Sequence, residues 1–196
     1  MVLFENFLYQ VIDSCYPKNV TQEDFMNGKH EKSFQFQNLA RTINEQGKKN
    51  HLKDYLDKIK NEFDLPHQKL FIDDRLNVGS KKSISLKVKI KKEELPRGVI
   101  KVYWLLISIS VLAPVYDVWI GSRLYLADGV FDNVIEEEMQ EYKEYAIQSL
   151  ERSGLIFVSK ELKEKILPEQ SSLFIKKGEF TVLNALFFDS YDELIY

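Results

Sequence analysis

VYWLLISISVLAPVY, residues 102–116, is a run of fifteen residues without a charge, and its reading decides whether the chain is anchored in a bilayer or folds around a core. A helix that spans a membrane needs about 20 consecutive apolar residues, while runs of about 10–14 belong more often to buried protein. This run is closed by Lys101 and Asp117, is interrupted by Ser108, Ser110 and Pro114, and is rich in the β-branched and aromatic types that favour strands. It therefore reads as a strand in the middle of a sheet, covered on both faces. Pro114 has no N–H to give to a ladder, so it marks a bulge or the strand's end.

The neighbours of the run support a sheet. In SISLKVKIKK (83–92), Ile84, Leu86, Val88 and Ile90 alternate with Ser85, Lys87, Lys89 and Lys91, the pattern of a half-buried strand. Its row of lysines suits a solvated face or a protected edge. Pro96-Arg97-Gly98 makes a turn, a strand over 100–113 follows, and another over 115–126 comes after Pro114, with Gly121 as a candidate break. Three successive strands with tight connections predict an antiparallel meander.

Outside the strands the apolar period is helical. Residues 3–15 place Leu3, Phe7, Leu8, Val11 and Ile12 on one face and stop before Pro17. Thr21-Gln-Glu-Asp24 has capping-box spacing and opens a short helix that Asn27-Gly28 breaks. Helices follow at 33–46, with Leu39 and Ile43 on one face, and at 50–63, with Leu52, Tyr55, Leu56, Ile59 and Phe63, before Pro66. After the strands, a long helix is expected over 132–153, with Asp132 as N-cap, Gly154 beyond its end, and Ile135, Met139, Tyr142, Ala146 and Leu150 facing inward. Residues 155–158 read as a short strand, 160–166 as a short helix, and 172–188 as a candidate strand region. The expectation is one α+β domain over 1–196, with a helical portion (1–66) and a sheet-plus-helix portion (67–196).

Composition limits the function classes. The formal charge of −3 argues against general nucleic-acid binding, and no aromatic interleaves Lys49, Lys53, Lys58 and Lys60 on their face of the helix, opposite the stripe of Tyr55, to form a base-stacking platform. The charge is uneven, with residues 1–100 at +4 and 101–196 at −7, a polarity suited to steering a charged partner or to self-association into a homo-oligomer. Cys15 is the only cysteine, which excludes an internal disulfide and a thiolate metal cluster and fits a reducing, cytoplasmic setting. The N-terminus has Glu5 early and no basic region, so it does not read as a signal peptide.

Catalytic motifs are missing from the sequence. The glycines match neither GxGxxG nor GxxxxGK[ST], no GxSxG elbow occurs, and His30, His51 and His67 fit no HExxH or zinc-finger spacing. No cofactor is expected. Glu136, Glu137, Glu138, Glu141 and Glu144 resemble an acid cluster, but acids at the start of a helix are favoured by its dipole, and no ExxH supplies nitrogen ligands for a metal. Asp73, Asp74, Arg75, Glu161 and Lys163 define an alternative reading, a metal-dependent hydrolase or nuclease with a dispersed site. In such a centre paired acids hold a divalent cation and a lysine positions the attacking water. That lysine normally lies on a strand, whereas 160–166 reads as helix.

The leading expectation is a non-enzymatic protein-interaction module in which Glu137, Glu138, Glu141 and Glu144 face a basic protein partner. The layout resembles that of bacterial accessory proteins, including toxin-immunity proteins, at the level of class. The apolar residues of 180–196 either dock on the chain's own sheet or meet another subunit.

Overall fold

In the computed structural model the uncharged run becomes most of one strand, a corner, and the start of the next strand. The structure describes residues 2–48, 54–55, 70–73, 82–126, 129–134 and 139–188. Among them, β1 (Leu70–Asp73), β2 (Ser83–Leu95), β3 (Val99–Ser110), β4 (Val115–Leu126) and β5 (Gly129–Val134) form a continuous antiparallel sheet in that order. β6 (Ile156–Phe157) adds in parallel beside the first residues of β4. The α+β architecture and the meander match the sequence expectation. Pro114 lies in the corner after β3, where its carbonyl accepts from the Ile156 N–H at 3.0 Å.

The inward rows of the three long strands are apolar. Ile84, Leu86 and Val88 pair across with Ile109, Ile107 and Leu105, and these in turn with Tyr116, Val118 and Ile120. All nine are buried. A register shift at Ile90 between β2 and β3 inserts one residue, which reverses the alternation beyond it. Lys91 therefore pairs with Tyr103, on the row of Leu105 and Ile107, rather than continuing the row of Lys87 and Lys89.

Helices cover this frame. α1 (Val2–Cys15) buries Leu8, Ile12 and Cys15, while Leu3 and Phe7 stay exposed at 87% and 43%, so its inward stripe is rotated from the expected one. α2 (Gln22–Met26) carries the expected capping box, with the Asp24 carboxylate held down at about 2 by the Thr21 hydroxyl and then by Lys29. α3 (Phe34–Lys48) buries Leu39 and Ile43 and runs through Gly47. The helix expected at 50–63 lies outside the described residues apart from 54–55, which are helical.

Three expectations are corrected. The long helix does not begin at Asp132: residues 129–134 form β5, and α4 spans Gln140–Arg152. The β4–β5 ladder runs from Gly121 opposite Val134 to Leu126 opposite Gly129 and sets Asp132 opposite Arg123, and this pairing outweighs the capping preference of Asp132. Gly121 does not break β4, since it pairs with Trp104 on one side and Val134 on the other. Residues 172–188 form no ladder strand. Their regular element is α6 (Val182–Leu186), capped reciprocally by Thr181 and Asn184, with a single bridge from Thr181 to Ile166. Between them α5 (Lys160–Lys163) is the short helix foreseen at 160–166, ending earlier.

The C-terminal segment covers the face opposite the Tyr116 row. Trp119 meets Phe188 and Phe187 at ring-centroid distances of 5.3 and 6.4 Å, and Ser83 donates to the Phe187 carbonyl at 3.2 Å. α1 joins this layer through the Tyr16 hydroxyl, which donates to the Ala185 carbonyl at 2.9 Å. Of the expected tail residues, Phe187 and Phe188 are fully buried on the chain's own sheet. No helix among the described residues is long and apolar enough to cross a membrane.

Candidate functional site

The acidic face expected on the long helix begins from how α4 is fixed. Ala146 and Leu150 are fully buried, and the Tyr116 hydroxyl of β4 donates to the Ile147 carbonyl at 3.0 Å. Beyond Arg152 the helix ends in a left-handed Gly154 (φ +82°), with the Leu155 N–H reaching back to Leu150 and the Gly154 N–H to Glu151. These bonds satisfy the last carbonyls. With one side held by the sheet, Glu141, Glu144, Tyr145, Gln148 and Glu151 all lie exposed. Their spacing of three and four residues places them in one stripe. Tyr145 is 42% exposed among the three carboxylates, and Arg152 closes the stripe by donating to the Gln148 carbonyl. Glu137 and Glu138 lie outside the described residues.

No protein-family model, no curated protein and no solved structure matches this chain.

The residues of the hydrolase reading do not assemble as a group among the described residues. Asp73 is the last residue of β1 and pairs with Ser85. Ser85 pairs with Ser108, and Ser108 with Asp117, which puts three strand spacings, about 14 Å, between the Asp73 and Asp117 backbones. Asp74 and Arg75 lie outside the described residues. Glu161 and Lys163 both stand in α5, two positions apart, and so point to different sides of it. Glu161 is exposed while Lys163 is buried. Among the described residues no group of three or more His, Cys, Asp or Glu side chains is placed to hold a metal ion.

Lys163 instead joins an acid that the sequence reading treated only as the boundary of the uncharged run. Its Nζ donates to Asp117 Oδ2 at 2.7 Å and stands 4.9 Å from the centroid of the Trp119 ring. Asp117 is fully buried, and its Oδ1 accepts from the Val118 N–H at 2.7 Å. Burial pushes the carboxyl up to about 6, with the Lys163 ammonium pulling in the other direction. Beside the pair, the hydroxyls of Ser85 and Ser108 bond to each other at 2.9 Å, both buried. This row ties α5 to the sheet. Asp117 is the one charged residue between Val111 and Ile120, and that local exception was the signal available in the sequence.

Proposed function

We propose that this chain is a non-enzymatic protein-interaction module that meets a basic protein partner through the outward face of α4, a role of the kind filled by bacterial accessory proteins such as toxin-immunity proteins. The carrying observation is the single exposed stripe of Glu141, Glu144, Tyr145 and Glu151 on a helix whose other side is locked into the core. A pre-formed helix loses little conformational freedom on binding. Tyrosine is a frequent interface anchor, and carboxylates around it direct approach and orientation of a cationic surface. The net charge of −7 over residues 101–196 favours the same class of partner.

The test is a photo-crosslinking amino acid at position 145, used in the source cells to trap the partner, followed by binding of the purified pair. The partner's association rate falls as salt rises, and the variant Glu141→Gln/Glu144→Gln/Glu151→Gln slows it by about tenfold or more. A trapped partner whose binding ignores both salt and neutralisation refutes the reading.

A further inference from the structure

A cavity of about 210 Å³ opens between the N-terminal helices and the loop before α6, and it contains no residue of α4. Its floor is formed by Cys15 and Tyr16 at the end of α1, Phe25 of α2, Leu39 of α3, and Lys82 and Ser171, all buried. Glu31 and Leu173 stand at its exposed mouth. The wall is aromatic: the His30 ring lies 4.3 Å from Phe25 and 4.5 Å, edge-on, from Phe36.

Most of the polar groups that line the cavity have partners within the chain. Tyr16 donates to the Ala185 carbonyl, Ser171 donates to the Val20 carbonyl at 2.6 Å, and Ser172 accepts from the Phe174 and Ile175 N–H groups. His30 Nδ1 contacts the Asp24 carbonyl at 3.4 Å, and Lys82 is likewise partnered. What the cavity offers a guest is therefore chiefly carbon surface, ring faces and edges, including the His30 ring, and the Cys15 sulfur. Its volume exceeds the roughly 150 Å³ of an apolar protein cavity that stays dry and admits benzene. A ring placed here meets other rings at the offset and edge-on spacings that aromatic groups prefer. A charged guest would leave water without gaining a free counter-group, and an anion would also pass Glu31 on entry.

We propose that this cavity is a binding site for a small uncharged molecule built on a single aromatic ring. Toluene is the probe, and Cys15, the chain's only cysteine, is the reporter, because its modification by methyl methanethiosulfonate reads this cavity alone. Toluene shifts the NMR signals of Phe25, Phe36 and Leu39. At ten times its Kd it slows Cys15 modification about elevenfold, the unoccupied fraction then being about one in eleven. Benzoate, the same ring with a carboxylate, binds about a hundredfold more weakly or worse, because a buried charge without a partner is strongly disfavoured. Leu39→Phe, which fills the cavity, abolishes the toluene effects in a protein whose circular dichroism is unchanged, and the wild-type measurements stand without that variant if it does not fold. No shift and no protection up to the solubility of toluene overturns the proposal. Equal binding of benzoate, or unchanged toluene binding by folded Leu39→Phe, also overturns it.

Discussion

Removing Lys163 is the sharpest test of how the C-terminal layer is held to the sheet. At 2.7 Å and an effective dielectric of about 20, the attraction between Lys163 and Asp117 is about 6 kcal/mol, before the cost of taking both charges out of water. Asp117 is fully buried and the Lys163 side chain is 9% exposed, so deleting one partner strands the other. Such deletions cost about 3–5 kcal/mol, and Lys163→Met is expected near 3 kcal/mol at pH 8 because the stranded carboxylate keeps its bond from Val118. The sign of the pH dependence follows from Asp117. Its carboxyl is raised from 3.8 to about 6, so the native state takes up this proton before the unfolded state does. The stability Asp117 contributes is then fully present below pH 3.8 and is lost as pH rises toward 6. Without the ammonium the carboxyl titrates higher still, and the penalty of Lys163→Met shrinks by about 1 kcal/mol or more between pH 8 and pH 5, at ~1.4 kcal/mol for each pH unit crossed. Replacing both partners, as Asp117→Leu/Lys163→Met, returns to within about 1 kcal/mol of wild type. Urea denaturation of wild type, Lys163→Met, Asp117→Leu and the double variant at both pH values measures the cycle. A penalty for Lys163→Met below about 0.5 kcal/mol that does not change with pH would refute the buried pair, since that is how exposed ion pairs behave.

Thr181→Ala removes the reciprocal cap of α6 and is expected to cost about 1 kcal/mol by chemical denaturation. Gly154→Ala forces a side chain into the left-handed turn that ends α4 at φ +82°, with an expected loss of about 1–2 kcal/mol in the same assay. Ser108→Ala leaves the Ser85 hydroxyl buried without its present partner and costs about 1–2 kcal/mol, whereas Ser85→Ala/Ser108→Ala costs less than the single change because neither hydroxyl is then orphaned.

The meander was legible because strand periodicity is local. Ile84, Leu86 and Val88 announce β2, and the uncharged run announces β3 and the corner at Pro114. The start of the long helix was misread because Asp132 favours both caps and turns, and what decides is the pairing of 129–134 with β4, which sets Asp132 opposite Arg123. The bulge at Ile90 left no mark in the alternation, since Ile90 itself is buried as the pattern requires. For the site, the exposure of Glu141 and Glu144 followed from helical spacing, and Glu151 joins them one turn beyond Gln148. The partnership of Asp117 with Lys163 spans 46 residues, and the cavity brings together residues from 15 to 173. Both depend on tertiary packing, which no local period encodes.

The role of the outward face of α4 is measured by stopped-flow association of the partner identified by crosslinking with wild type and with Glu141→Gln/Glu144→Gln/Glu151→Gln, across a salt series. At low salt the neutralised variant is expected to associate about tenfold or more slowly than wild type, and the two proteins converge as salt screens the carboxylates. Equal rates at every salt concentration, with both proteins folded, would contradict it.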